Sequence, residues 1–200
     1  MAELSNADVV AYTNGRLADD AETTRMLAAA LSAARREAGW HVSPVVTETV
    51  GLDGPNSRML RLPTRKVVEL IEITEDDVTV DLSTVRVSAG SMPGRGRPVA
   101  VRKVSDGWWS ANYDAIVVEM EHGYTEAEAA SWRQGILSMV DQMSTVPINA
   151  GTGVSDMAQR GWRVDDVQVS YAPFTALAED VLFSVSHIMC DYKLPGVEFM

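Results

Sequence analysis

The residues of this 200-residue chain whose types could do chemistry are three histidines and a few carboxylates. His122 follows Glu119 and Glu121, and an imidazole with two carboxylates can bind Zn²⁺ and activate a water. Along a strand, however, side chains alternate, so the two glutamates share one face and His122 points to the other. We therefore predict that His122 hydrogen-bonds a turn at a strand end. A metal-dependent hydrolase using Glu119, Glu121 and His122 remains an alternative.

The other candidate motifs lack the residues that their chemistry needs. His41 after Trp40 is predicted to act like His122, and His187 lies among apolar helical positions, where we expect partial burial. Gly94-Arg95-Gly96 and Gly151-Thr152-Gly153 lack the lysine and following helix of a phosphate-binding loop. The single cysteine, Cys190, excludes an internal disulfide and a cysteine-ligated zinc site. We predict no enzyme: no catalytic residue, no metal and no cofactor.

Composition narrows the function classes. The formal net charge is -11, from 17 basic and 28 acidic residues, and such a chain is repelled by phosphate backbones. A hydrophobic fraction of 46% and a charged fraction of 22% are typical of a folded protein. No apolar run approaches the roughly 18–20 residues of a membrane span, and the first residues lack a signal-peptide pattern. We expect a protein made in a reducing cytoplasm, with no membrane partner and no specific DNA binding.

Helices are predicted at both ends of the chain. Ser5 with Asp8 has capping-box spacing, and Asp19 with Glu22 repeats it. A helix is expected over Asp20–Ala38, ending at Gly39. Thr125 with Glu128 is a third capping box that opens a helix to about Met143, and a last helix is expected over Phe174–Tyr192.

Short strands are predicted between Trp40 and Met120. These comprise Val45–Val50, Met59–Leu62, Val67–Ile73, an alternating strand of Val78, Val80 and Leu82 extended by Val85 and Val87, the Val99–Val101 region, Trp108-Trp109 after an Asp106-Gly107 turn, and Ile116–Met120. A further strand is expected at Val164–Tyr171. Strands and helices that segregate in sequence predict an α+β fold, a helical bundle with an inserted antiparallel β-rich region. The divisions expected are 1–39, 40–122, 123–191 with a long loop at 144–161, and 192–200.

Several features favour an interaction protein. Five tryptophans and ten methionines are many for this length, and both types are enriched in interface cores. Trp132 and Trp162 are predicted to lie in the core, while the pair Trp108-Trp109 leaves core and surface open. The loop Ser91–Pro98 carries two arginines that could anchor a partner.

Six short motifs in order resemble a known family. They are Ala38-Gly39-Trp40-His41-Val42 with Pro44-Val45, Leu52-Asp53-Gly54-Pro55, Leu60-Arg61-Leu62-Pro63-Thr64, Glu121-His122-Gly123-Tyr124, the strand Val167–Tyr171, and Asp191-Tyr192-Lys193-Leu194-Pro195-Gly196-Val197. Each is weak singly, but their order along nearly the whole chain resembles head-to-tail connector (adaptor) proteins of siphophages that infect actinobacteria.

The resemblance implies a structural virion protein of the neck. Twelve subunits would form a ring under the portal, continue the DNA channel and receive a stopper or tail protein. The helices would build the ring, and a C-terminal arm would reach the portal. The implied arm residues are Tyr192, Lys193, Leu194, Pro195, Val197 and Phe199, and the implied loop contacts are Arg95, Arg97, Asn149, Val154 and Met157.

Three alternatives to a connector protein remain open. A stopper or tail-terminator subunit of the same neck is the nearest rival, although such proteins tend to be smaller and dominated by a β-barrel. The metal-dependent hydrolase and a plain binding module are the others. If the chain forms a ring, we expect part of its acidic excess to face the lumen, where it would discourage DNA from sticking.

Overall fold

The structure is a computed structural model that describes residues 3–88, 98–104, 107–145, 181–182 and 185–194. The chain divides into two compact units. One comprises Ala38–Ala129 with Asp191–Met200, and the other comprises Ala2–Glu37 with Ala130–Cys190. The first holds antiparallel sheets and the second holds helices, so the predicted α+β class is confirmed.

The helical unit is built on amphipathic helices. Its helices are α1 (Asn6–Tyr12), α2 (Ala21–Ala38, whose last residue already belongs to the other unit) and α3 (Ala130–Thr145), and residues 181–182 and 185–189 are also helical. Helix α3 buries Trp132, Gly135, Ile136, Met139, Val140 and Met143. This stripe at helical spacing packs α3 against α1. Trp132 is therefore a core residue, as predicted.

The helix caps follow the predictions with two differences. Ser5 and Asp8 form the predicted capping box of α1. The cap of α2 is Asp20 and not Asp19, because the Asp20 carboxylate accepts from the backbone N–H groups of Glu22 and Thr23 at 3.0 and 2.9 Å. Thr125 and Glu128 do bond each other, but regular helix begins only at Ala130.

The described residues of the β unit form two antiparallel sheets. The first has the strand order β1-β7-β3-β4, with β1 at Val46–Leu52, β7 at Ile116–His122, β3 at Val67–Glu75 and β4 at Val78–Thr79. The second has the order β2-β6-β5, with β2 at Met59–Arg61, β6 at Ala100–Lys103 and β5 at Val85–Val87. Strand β3 carries two irregularities against β7, at Val68 and Ile71, and both residues are exposed.

The predicted alternating strand from Val78 to Val87 is wrong as one element. Strand β4 ends at Thr79, and the Asp81 carboxylate then accepts from the Ser83 N–H to start a 3₁₀ turn at Leu82–Thr84. The chain thereby leaves the first sheet, and Val85–Val87 pairs with β6 in the second. Trp108-Trp109 is not in a strand either, and the Trp109 backbone N–H donates to the Ser57 carbonyl at 2.9 Å.

One hydrophobic core joins the inward faces of the two sheets. The first sheet and the residue before β7 contribute Ile73, Ala115, Ile116, Val118 and Met120, the second sheet and its flanks contribute Leu60, Leu62, Val85, Val99 and Val101, and Trp109 completes the cluster. Because both sheets bury one face in the same core, their other faces point away from it on opposite sides.

Several predicted elements lie outside the described residues. They include most of the Ser91–Pro98 loop, Asp106, the 146–161 part of the long loop, Trp162, the Val164–Tyr171 strand and the first part of the last helix.

Candidate interaction surfaces

His122 ends β7 in a buried hydrogen-bonded setting, only 1% exposed. Its Nε2 lies 2.8 Å from Glu48 Oε2 of β1, and its Nδ1 lies 3.3 Å from Thr64 Oγ1. Its ring packs near those of Trp40 and His41, with centroids 6.4 and 5.9 Å away. These partners orient the imidazole within the β unit.

The residues of the hydrolase alternative do not converge. Strand β7 alternates strictly, with His122, Met120 and Val118 buried and Glu119 and Glu121 on the opposite face. The carboxylate at His122 comes from Glu48 on the neighbouring strand. No group of three or more histidine, cysteine or acidic side chains able to hold a metal occurs among the described residues. His187 is exposed, contrary to the expectation of partial burial.

The outward face of the first sheet is acidic. Glu119 of β7 is registered directly opposite Glu72 of β3, and Glu121 is opposite Glu69. Strand β7 also pairs with β1, which places Thr49 opposite Glu119 and Thr47 opposite Glu121. The four carboxylates form no ion pair within the described part of the chain. We call this surface, formed by Glu69, Glu72, Glu119 and Glu121, the Glu face.

The outward face of the second sheet is basic. Arg102 in the central strand β6 is registered between Met59 of β2 and Arg86 of β5, and Arg61 lies opposite Ala100 on the same face. The three arginines are exposed, as is Met59 at 49%. None of the three forms an ion pair with any residue that the structure describes. We call this surface, formed by Arg61, Arg86 and Arg102, the Arg face.

Sequence reasoning missed the Arg face, although a signal was present. Each arginine sits next to a buried strand residue, as in Leu60-Arg61, Val85-Arg86 and Val101-Arg102. Period-two alternation then places the arginines on the wet side. Pairing β5 with β6, which local sequence does not show, gathers them on one surface.

The C-terminal segment 191–194 is fastened to the β unit. Trp40 Nε1 donates to the Tyr192 carbonyl at 2.7 Å, and the Leu194 N–H donates to the Ala38 carbonyl at 2.7 Å. The buried Arg65 guanidinium donates to the carbonyls of Asp191 and Lys193. These main-chain bonds specify the path of the segment whatever its side chains are.

Tyr192 is itself a core residue, 1% exposed. Its ring meets that of Tyr124 edge to face with centroids 5.9 Å apart, and its hydroxyl donates to the Glu128 carbonyl at 3.4 Å. Of the predicted arm, Tyr192, Lys193 and Leu194 thus lie in or beside this anchor. Pro195, Val197 and Phe199 lie outside the described residues, as do the loop residues Arg95, Arg97, Asn149, Val154 and Met157.

Lys66 and Glu128 form an ion pair beside this anchor. The Lys66 ammonium and the Thr125 backbone N–H lower the pKa of Glu128 from its ordinary 4.5 to about 2. Lys66 Nζ also lies 5.7 Å from the Tyr124 ring centroid, so it contacts both the carboxylate and an aromatic side chain.

The open question of Trp108 and Trp109 is answered by their burial. Trp109 is 1% exposed and belongs to the sheet core, whereas Trp108 is 58% exposed. Tyr113 is 90% exposed. In the parts of the chain that the structure describes, no helix is long and apolar enough to cross a membrane.

Several solved structures with this fold come from a gene transfer agent (GTA). A chain in the neck of a native GTA particle computed with C12 symmetry matches with a TM-score of 0.59 at 12% identity, over 100% of this chain and 96% of that chain. A chain in the virion of the native particle gives 0.58 at 12%, over 98% and 92%. The neck of the empty particle computed with C6 symmetry gives 0.56 at 11%, over 100% and 96%.

At these identities the likeness shows a shared fold. It extends over both units of the chain, because the matched length is nearly complete on both sides. No protein-family model and no curated protein matches the sequence.

Proposed function

We propose that this protein is a structural subunit of a virion neck, a head-to-tail connector of the type found in siphophages of actinobacteria. The observation that carries the proposal is the match of fold over the whole chain to chains in GTA necks. The order of six short sequence motifs leads independently to the same class. In this proposal twelve copies form a ring that binds the portal on one side and a stopper or tail protein on the other.

The anchored C-terminal segment suits a portal-binding arm. Arg65, Trp40 and Ala38 hold the main chain of 191–194, so this described segment ends at a defined point on the β unit. In the proposal, Val197 and Phe199 provide apolar contacts to the portal, and the Ser91–Pro98 and Ser144–Gly161 loops contact other neck proteins. DNA passes through the lumen without specific binding.

A stopper or tail terminator of the same neck is the rival proposal. This chain has a helical unit of its own in addition to its sheets, whereas those proteins tend to be dominated by a β-barrel. The two proposals differ in partner, since a connector binds the portal directly.

The experiment is to locate the protein in particles made by the genome that encodes it. A tagged full-length chain is incorporated during particle production, and purified particles are labelled with antibody-bound gold. We expect gold at the head–tail junction. Gold on the capsid shell or tail tube, or particles without label although the tag is present in the lysate, would contradict the proposal.

The arm is tested by the double variant V197S/F199S. The control is L182S, an apolar-to-serine change in the helical unit. We expect V197S/F199S to fold and to lose co-elution with the portal protein of the same genome. Unchanged co-elution would remove the arm from the proposal and leave the neck location to the gold labelling.

A further inference from the structure

The outward faces of the two sheets each place like charges directly opposite one another. Glu119 faces Glu72 across the β7–β3 ladder, and Arg86 faces Arg102 across the β5–β6 ladder. Side chains directly opposite in an antiparallel pair have Cβ atoms about 4.5–5.5 Å apart, and like charges there destabilise the sheet. In an isolated copy, like charges therefore repel each other on both faces. A surface of opposite charge bound to either face would relieve that repulsion.

The two faces belong to one compact unit. They lie on opposite sides of the core that contains Ile73, Val118 and Val101. A copy thus carries a negative surface on one side of its β unit and a positive surface on the other. Each face also exposes an apolar side chain, Val117 on the Glu face and Met59 on the Arg face, and both methionine and arginine are enriched in interface cores.

We propose that the Arg face of one copy binds the Glu face of the next. Because the two faces differ and lie on opposite sides, this contact is heterologous: every copy uses its Arg face toward one neighbour and its Glu face toward the other. A heterologous contact closes into a ring when its rotation divides the circle evenly. Only this closure rests on the proposed neck function; the pairing of the faces rests on charge and register.

Charge complementarity selects a second copy as the occupant. Four carboxylates meet three guanidinium groups, and arginine binds carboxylates through two parallel hydrogen bonds. Exposed single ion pairs contribute little, about 0–1 kcal/mol each. A cluster of ion pairs that also relieves the repulsion between like charges within each sheet contributes more to association than one isolated pair does. The chain as a whole carries a net charge of -11, so three exposed arginines that form no ion pair with any described residue are a local exception, and they favour a negative partner.

Single charge reversals separate association from folding. Arg102→Glu places a carboxylate opposite Arg86, and Glu119→Lys places an ammonium opposite Glu72, so each variant gains an attractive pair within its own sheet. We expect both variants to melt at or above the wild-type Tm. Each should nevertheless self-associate at least about tenfold more weakly, a difference of about 1.4 kcal/mol. Arg25→Glu, an exposed change on α2 with the same change in net charge as Arg102→Glu, is the matched control for that variant.

The decisive measurement is sedimentation velocity of the full-length protein and of variant mixtures. We expect wild type to associate more in about 20 mM than in about 500 mM NaCl, because salt screens exposed charges. R102E and E119K should each be largely monomeric alone. An equal mixture should regain association, since the intact Arg face of E119K meets the intact Glu face of R102E. The double variant R102E/E119K should regain it as well.

Several outcomes would overturn the proposal. They are a wild type that stays monomeric at low salt and about millimolar concentration, variants that associate as R25E does, or a mixture that does not recover. Binding of a short DNA duplex that is lost in R102E while self-association is unchanged would make the Arg face a nucleic-acid surface instead. Gold labelling at the neck with charge-independent assembly would refute this contact alone. Recovered association in the mixture of R102E and E119K, without gold label at the neck, would refute the proposed function alone.

Discussion

Lys103 of β6 and Glu75 of β3 form an ion pair that connects the two sheets of the β unit, with Nζ 2.6 Å from Oε2. Both side chains are largely buried, at 16% and 17% exposed. Glu75 Oε1 also accepts from the Ser110 N–H at 2.7 Å, and Lys103 Nζ lies 4.6 Å from the Trp109 ring centroid. The pair fixes one sheet against the other, and so fixes the Arg face relative to the Glu face.

Removing one partner of this pair should destabilise the β unit strongly. Lys103→Met leaves the Glu75 carboxylate without its counter-charge in a largely buried site, and we expect a loss of about 3 kcal/mol, the lower end for breaking a buried ion pair. Restoring neutrality in K103M/E75Q should recover part of that loss. Urea unfolding of the two single variants and the double variant measures the coupling.

The exposed pair Lys66–Glu128 provides the comparison, with side chains 24% and 42% exposed. Lys66→Met should cost only about 1 kcal/mol or less. Equal losses for K103M and K66M, or strictly additive effects of K103M and E75Q, would show that the inter-sheet pair contributes no more than a surface pair.

Glu128 should make stability depend on pH in the acid range. Its folded-state pKa is lowered to about 2, chiefly by Lys66 and then by the Thr125 N–H. The stabilisation is therefore present above about pH 4.5 and is lost as pH falls toward 2. Because this carboxylate is 42% exposed, solvent reduces the contribution to about 1 kcal/mol.

Chemical denaturation of wild type and Glu128→Gln across pH 3 to 7 tests this expectation. The two proteins should differ most at neutral pH and converge as the solution becomes acid. A constant difference across the range would mean that the Glu128 charge does not contribute.

Arg65 should hold the C-terminal segment closed. Its guanidinium donates to the carbonyls of Asp191 and Lys193 from a position 2% exposed. Arg65→Met keeps the aliphatic packing and removes both bonds, so the segment should open more often. Trypsin should then cut after Lys193 faster, as followed by mass spectrometry, while Arg25→Met serves as the control. Cleavage at the wild-type rate would mean that Arg65 does not hold the segment.

Gly54 should tolerate no larger residue. A Cβ there would lie 2.2 Å from the Ser110 carbonyl oxygen and 3.0 Å from that of Asn112, both backbone atoms. Gly54→Ala must displace one of these segments, and we expect a loss of about 3 kcal/mol in thermal or urea unfolding, the upper end for overpacking.

Gly135→Ala is the matched comparison for this glycine. Its new methyl would meet the mobile end of Met189, at 2.7 Å from Cε, and the loss should be smaller. A G54A protein as stable as G135A would contradict the close backbone approach at Gly54.

Short sequence motifs predicted the features that neighbouring residues determine, such as helix caps. Ser5 and Asp8 are three residues apart, and their capping box forms as predicted. Asp19 and Asp20 were harder to separate, because either could cap the helix; the Asp19 carboxylate instead accepts from the Asn6 amide at 2.8 Å. Gly39 ends α2 in the left-handed conformation with φ 77°, as its position predicted.

Partners that are distant in sequence determine the features that local signals did not predict. The carboxylate beside His122 is Glu48, 74 residues away, and not the neighbouring Glu119 or Glu121. Val85 and Val87 lie together in a strand, β5, but their partner strand β6 belongs to the second sheet. Pairing of this kind depends on which strands share a core, and period-two alternation carries no information about it.

The most direct test of the neck proposal is the mass of the full-length protein, measured by native mass spectrometry alone and after mixing with the portal protein of the same genome. We predict a complex of one defined stoichiometry on the portal, with twelve copies of this chain in a ring. A chain that stays monomeric and does not bind the portal under these conditions would contradict the account.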